Sequence, residues 1–289
     1  MAGKKTDMAK PQKLIAFQGA PGAYSDLACR HAFPEMETLP CTQFEDAFAA
    51  VRDGGAGLGM IPIENSVAGR VADIHHLMPD SGLFIIGEHF EPVHHHLLAL
   101  PGATLDQIKL VRSHVHALGQ TRKFLRKHKL AAQVAVDTAG AAAELAESGD
   151  PSVAAIASEL AGQIYGLVSL AANIEDAAHN TTRFLVMSKT EKRAPRGKPT
   201  VTTFVFNVRN VPAALYKALG GFATNAINMT KLESYMVGGN FTATQFYADV
   251  EAHPDDRPLR LALEELEFFS TEVKILGVYP AAPERHAKA

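Results

Sequence analysis

From Leu14 onward, short apolar runs alternate with short helical patterns, and this alternation most restricts what the chain can fold into. Leu14-Ile15-Ala16-Phe17 has the length of a buried strand. Gln18-Gly19-Ala20-Pro21-Gly22 breaks it, and Tyr24, Leu27, Ala28 and His31 then fall at helical spacing. The order repeats. Thr42-Gln43-Phe44-Glu45 reads as a capping box, with Phe44, Ala47, Phe48 and Val51 as the apolar stripe behind it. Further strands are expected at 58–63, 83–86, 93–100, 108–111, 134–136 and 153–156. Helices between them carry Val71, Ile74 and Met78, then Leu118, Thr121, Phe124 and Leu125, then span 141–146 and 159–165. Strands joined by helices imply an α/β protein, its sheet mainly parallel and covered on both faces.

The rhythm stops at 189–199, which is charged, holds Pro and Gly, and has no period, so it reads as a linker. Beyond it, 201–208 alternates like a strand, Pro212 opens a helix with Leu215, Ala218 and Leu219, and Gly220-Gly221 ends that helix. Strands at 227–233 and 241–250, joined by a loop with Gly238-Gly239, precede a helix at 258–268 and a strand at 273–279. This is βαββαβ, the order of a ferredoxin-like unit.

A length of 289 residues fits two domains, and 47% hydrophobic with 20% charged residues is an ordinary globular balance. A net charge of -3 supplies no large basic field, so nucleic acid is not an expected partner. Cys29 and Cys41 suit a reducing compartment and form neither a disulfide scaffold nor a zinc pattern. Residues 1–12 are polar and Lys-bearing without an apolar core, unlike a secretory signal, and no apolar run is long enough to span a bilayer. A cytoplasmic protein with a frayed start and no membrane partner is expected.

Polar groups recur just past the strands. His179-Asn180-Thr181-Thr182-Arg183 leads into the apolar Phe184-Leu185-Val186-Met187, and Glu64-Asn65-Ser66 follows the strand at 58–63. In open α/β sheets that edge is where ligands bind. An Asx-type turn explains Glu64-Asn65-Ser66 without a ligand, and a polar turn explains 179–183. Ser25 falls in the first turn of a helix, where free N–H groups favour an anion; helix capping is its other reading. Gln120 lies two helical turns after Ser113 and can share its face. Arg183 can grip a carboxylate, or pair with Glu175 or Asp176 on its own loop. Among His94, His95 and His96, the first and third share a strand face and the second points away. No metal is expected from them; one lining an anion pocket fits better.

Gly19-Ala20-Pro21-Gly22-Ala23-Tyr24-Ser25, Pro62-Ile63-Glu64-Asn65-Ser66, Ser113 with Gln120, and Asn180-Thr181-Thr182-Arg183-Phe184 resemble the successive motifs of the prephenate dehydratase family. Residues 211–279 resemble the ACT regulatory domain that often follows it, and the likeness covers about 13–280. The resemblance implies a catalytic domain at 13–188 built like type II periplasmic binding proteins. Lobe 1 would take about 13–91 and 177–188, and lobe 2 about 92–176, with the linker at 189–199 and an ACT domain at 200–280. The implied reaction turns prephenate into phenylpyruvate, carbon dioxide and water, with no metal and no organic cofactor. By position Thr182 is the catalytic residue, and Ser25, Asn65, Ser66, Ser113, Gln120, Thr181 and Arg183 are the substrate-binding set.

The implied partners are prephenate, L-phenylalanine as effector, and further copies in a homodimer or homotetramer. Ala213, Ala214, Leu215, Asn225, Glu233 and Ser234 are the implied effector site. Two departures stand out there. The family's common Gly-Ala-Leu is Ala213-Ala214-Leu215, and its Glu-Ser-Arg-Pro is Glu233-Ser234-Tyr235-Met236, so an altered affinity or sign of regulation is expected. Arogenate as substrate, or a two-lobed sensor without chemistry, are the alternatives. Physically, aromatisation drives the fragmentation. The protein need only hold two carboxylates and protonate the departing hydroxyl, a general-acid contribution of about 10²–10⁴-fold. Thr182 fills that role if its surroundings stabilise the alkoxide it becomes. Glu64 is expected to be structural.

Overall fold

The computed structural model describes residues 11–71, 74–236 and 243–286. Most of the polar N-terminus, the Gly238-Gly239 loop and the expected strand start at Phe241 lie outside the described residues. In chain order the elements begin β1 (Leu14–Gln18), α1 (Tyr24–Ala32), β2 (Glu37–Cys41), α2 (Phe44–Arg52), β3 (Leu58–Asn65), β4 (Gly69–Arg70), α3 (Ile74–Leu77), β5 (Phe84–Pro92) and β6 (His96–Ala99). Next come β7 (Leu110–Ser113), α4 (Val115–Gln120), α5 (Arg122–Lys127), β8 (Ala131–Val134), α6 (Thr138–Ser148), β9 (Val153–Ala157), α7 (Glu159–Tyr165), β10 (Val168–Ala171) and β11 (Thr181–Ser188). The chain ends with β12 (Thr200–Val208), α8 (Ala214–Thr224), β13 (Met229–Met236), β14 (Ala243–Val250), α9 (Arg257–Phe269) and β15 (Ser270–Pro280). Two compact units form: residues up to 71 with 89–184, and 72–88 with 185–288.

The first unit holds two sheets. In one, β1 lies between β2 and β3, parallel to both, and Ile15, Ala16, Phe17, Met60 and Ile63 are buried. Such doubly covered parallel strands read as continuous apolar runs. The capping box of α2 sits one residue later than expected, on Gln43 and Asp46, because β2 runs to Cys41 and Thr42 is still leaving it. The other sheet has the order β10-β6-β9-β7-β8. It is mixed: β7 is parallel to β8 and β9, while β6 is antiparallel to β9 and β10. Leu97, Val111, Leu118, Leu125 and Ile156 form its core.

Two local expectations shift in this sheet. The strand expected at 134–136 is Ala131–Val134, an edge strand with every residue exposed, and Val136 is 90% exposed beyond it. Apolar content there reflects β propensity and not burial. The single helix expected through Leu118 and Leu125 is two, broken at Thr121, whose hydroxyl bonds back to Ala117 O.

In the second unit β13-β14-β12-β15 is an antiparallel sheet, the ferredoxin-like order. α8 and α9 cover one face through Phe204, Phe206, Phe222, Leu259, Leu263 and Leu266. The stretch expected as a linker is anchored here: Ala194 is buried, its N–H donates to Val278 O and its carbonyl meets His253 Nε2. Residues 74–88 belong to this unit as well. His75 stacks on Tyr235 with ring centroids 4.8 Å apart, and Gly277 pairs with Ile85 in parallel. Glu88 takes two guanidinium contacts from Arg285, at 2.7 and 2.8 Å.

The residues matched to the effector site cluster on three parts of this unit. Ala213 caps the start of α8, Ala214 and Leu215 open it, Asn225 ends it by donating to Gly221 O, and Glu233 and Ser234 lie on β13. Ala213 sits at φ 62, a left-handed conformation in which a Cβ is strained. The family's Gly at this position would relax it. Ala213→Gly is therefore expected to stabilise the protein by about 0.5–1 kcal/mol, read as a higher thermal midpoint; a lower midpoint would refute the strain.

Candidate active site

The site is built where β3 and β11 present their polar ends. Asn65 closes β3, and its Oδ1 accepts from the backbone N–H groups of Val67 (2.9 Å) and Ala68 (2.7 Å). This Asx-type turn was the ligand-free expectation for the segment, and it fixes which way the amide points. Asn65 Nδ2 must then face away from the turn. It donates to Asn180 Oδ1 at 2.8 Å and to Thr182 Oγ1 at 3.0 Å. Asn180 Nδ2 donates to Gln120 Oε1 at 3.0 Å, and Gln120 Nε2 reaches Asn65 Oδ1 at 3.5 Å. Three amides thus close a ring around one threonine hydroxyl. Because Thr182 Oγ1 is already accepting, its own proton remains to be given, and the N–H aimed at the oxygen stabilises negative charge there.

A second layer holds the ring. His95 is 2% exposed, with Nε2 2.9 Å from Gln120 Oε1 and Nδ1 2.8 Å from the Tyr24 hydroxyl. Its backbone N–H donates to Glu175 Oε2, and Glu175 Oε1 meets His94 Nδ1. Burial pushes the His95 pKa down, against the opposing pull of Gln120 and Glu175. Burial, then Glu175, push the Tyr24 phenol up. Burial would raise Glu175, but bonds from His94 and from the His95 N–H hold it below its ordinary value.

The Gly-rich loop before α1 is pinned from α7. Ser158 Oγ donates to Gly22 O, and the Tyr165 hydroxyl donates to Pro21 O. Gly22 N–H is taken by the buried Asp26, which pairs with Arg30. Ser25 is buried in the first turn of α1; the cap is Ala23, so capping is not its role.

Strand alternation separates the other residues expected at the site. Asn180 and Thr182 share one face of β11, and Thr181 and Arg183 the other. Arg183 is 3% exposed and pairs with Glu64 at 2.8 Å, not with Glu175 or Asp176. Asp176 instead accepts from Lys123 N. Glu64, Ser66, Phe90, Thr181 and Arg183, with Asn65, line a cavity of about 190 Å³. Ser66 ties the loop down: its Oγ donates to His179 O and accepts from Thr181 N. Ser113 is 0% exposed, and its hydroxyl donates to Ile156 O, bracing β7 against β9. Tyr24 completes the cluster without having been singled out from sequence, while Asn180 stands in the 179–183 stretch and His95 among the three histidines, one of which was expected to line an anion pocket. The period of two flags Asn180 beside Thr182; nothing local pairs His95 with Gln120. Among the described residues no group of three or more His, Cys, Asp or Glu could hold a metal, and no helix is long and apolar enough to cross a membrane.

Comparison with known proteins places the chain in a family. The family model for prephenate dehydratase matches residues 15–192. A bifunctional N-acyl-homoserine lactone acylase/prephenate dehydratase of Komagataeibacter europaeus is 53% identical over 275 residues, 95% of this chain and 98% of that protein. Arogenate dehydratase/prephenate dehydratase 1 of Arabidopsis thaliana is 41% identical over 281 residues, 92% of this chain and 71% of that one. Among solved structures, the prephenate dehydratase of Arthrobacter aurescens in complex with L-Phe superposes with TM-score 0.86 at 31% identity, covering 93% of this chain and 90% of that one.

The pinned loop has a direct mechanical test. Gly22 has φ 88, and a Cβ there would lie 2.7 Å from Ala161 Cα, a backbone atom. Gly22→Ala should cost about 1–3 kcal/mol, seen as a lower urea midpoint. An unchanged midpoint would show that the loop and α7 are not held in this contact.

Proposed function

Because the chain belongs to the prephenate dehydratase family, we propose that Thr182 delivers the proton that lets the ring hydroxyl of prephenate depart. The ring carboxylate leaves as carbon dioxide and its bonding electrons enter the ring. The hydroxyl leaves with the Thr182 proton as water, and the ring becomes aromatic. Prephenate carries two negative charges and phenylpyruvate one, so each turnover consumes a proton, and solvent restores Thr182. The bond from Asn65 Nδ2 to Thr182 Oγ1 is the observation that supports this reading. It leaves the hydroxyl proton for the substrate and steadies the oxygen after transfer.

Asn65 and Gln120 line the same face, and Ser25 with the first-turn N–H groups of α1 is the proposed seat of a substrate carboxylate. Ser66, Thr181 and Arg183 brace the loop from the opposite face. L-phenylalanine is the proposed effector, bound at Ala213, Ala214, Leu215, Asn225, Glu233 and Ser234 of the second unit, in a homodimer or homotetramer.

Phenylpyruvate formation from prephenate, followed by ultraviolet absorbance, tests the assignment. Thr182→Ser is expected to keep activity, and Thr182→Ala to lose most of it. Asn65→Ala should lower kcat by about 10²–10³-fold, the range for removing one donor to a developing anion. Near-normal turnover in Thr182→Ala would reject the assignment. The same assay with phenylalanine reads the sign of regulation, and with arogenate the substrate preference.

A second activity is proposed from the Komagataeibacter europaeus relative, which matches nearly end to end. Leu27, Pro92 and Leu160 line a cavity of about 740 Å³ that also holds His31, whose Nδ1 lies 3.0 Å from Glu91. Apolar walls beside a His–carboxylate pair suit an acyl amide and the water that would cleave it. Incubation with an N-acyl-homoserine lactone should release homoserine lactone; no release would sink this activity and leave the dehydratase reading standing.

A further inference from the structure

We propose that His95 is a positioning residue for the reaction: its Nε2–H holds Gln120 in the sense that the turn at Asn65 sets for the Asn65–Asn180–Gln120 ring, and so helps keep the Thr182 proton available. The proposal rests on the dehydratase reading of Thr182.

A ring of three amides closes equally well in two senses, related by flipping every amide. In the sense observed, Asn65 turns Nδ2 toward Thr182 Oγ1. In the reverse sense Asn65 would turn an oxygen there, accept the Thr182 proton and leave none for the substrate. Two anchors select between them. At Asn65, the N–H groups of Val67 and Ala68 require an oxygen. At Gln120, Oε1 faces His95 Nε2, so that nitrogen must carry a proton. A flipped Gln120 would set its NH₂ against this N–H. A His95 with bare Nε2 would set a lone pair against Oε1.

Gln120 Oε1 selects the required tautomer, because it can only accept, and Tyr24 accommodates it in both charge states. Its hydroxyl is 2.8 Å from both His95 Nδ1 and His94 O. With neutral His95, the Tyr24 hydroxyl donates to Nδ1, and the ring proton stays on Nε2. With charged His95, Nδ1–H donates to the Tyr24 oxygen, whose hydroxyl turns to His94 O, and Nε2–H is unchanged. The donor to Gln120 therefore persists through the titration of His95. The titratable groups facing His95 are Tyr24 from α1, Glu175 from the segment before β11, and its neighbours His94 and His96. Burial in this setting places the titration below the ordinary 6.5.

Two kinetic signatures follow, measured on the full chain with prephenate across about pH 5–8. In the unmodified protein kcat should show no step as pH passes through the His95 titration, because Nε2–H is present in both charge states. His95→Leu removes the donor and should lower kcat by about 10–100-fold with KM within about threefold. His95→Gln offers an N–H near the same place and should restore most of kcat, which also controls for folding. Full kcat in His95→Leu, or no recovery of kcat in His95→Gln, would overturn the proposal. If Thr182→Ala is inactive while His95→Leu turns over normally, only the role of His95 fails. If Thr182→Ala is active, the reading of Thr182 fails instead.

Discussion

Two backbone N–H groups on one side-chain oxygen govern the site. Val67 and Ala68 hold Asn65 Oδ1, and everything on the Thr182 face follows from the direction that leaves for Nδ2. A hydroxyl in water is a poor acid, and a threonine alone at a strand end would be an unremarkable surface group. What changes its chemistry is that its lone pair is already engaged by a donor whose orientation is fixed from behind. The fixing is inexpensive, since the turn after β3 needs an acceptor for those N–H groups in any case. Local backbone satisfaction and preorganisation of the proposed proton donor are the same interaction here.

The opposite face of β11 shows how little separates the proposed proton donor from a residue that braces the strand. Arg183 follows Thr182 directly, yet alternation carries it to the other side, where the buried guanidinium meets the partly exposed Glu64 at 2.8 Å. The pair ties the ends of β3 and β11 together. Ser66 adds two bonds to 179–181 on that same side. The loop is thus clamped from beneath while its upper face stays organised for substrate.

Much of this was legible in the sequence, for physical reasons that differ by element. β1, β3 and β9 are unbroken apolar runs, because both their faces are covered, and they stand where expected. The βαββαβ tail follows from alternation and paired glycines. Asn65 and Thr182 were legible as polar residues beyond strand ends. Ser113 was not correctly legible: its hydroxyl lies on Ile156 O, forty-three positions on, and no local pattern reveals a side chain spent on a distant carbonyl. His95 and Gln120 meet across twenty-five positions for the same reason. The edge strand β8 misled in the other direction, since valines at a sheet margin look like core until the neighbouring strand is known to be missing.

Residues 72–88 carry a consequence for anyone dividing this chain. They run from just after β4 into β5, within the span of the dehydratase family match, yet they group with the C-terminal unit, through His75 against Tyr235, Ile85 beside Gly277, and Glu88 with Arg285. A gene truncated after β11 would strip this segment of its neighbours, leaving an aromatic stack half-made and a buried acid without its base. The catalytic half is therefore not a separable cassette. Its polypeptide passes through the second unit at 72–88 and returns to the first at His89, six positions before His95.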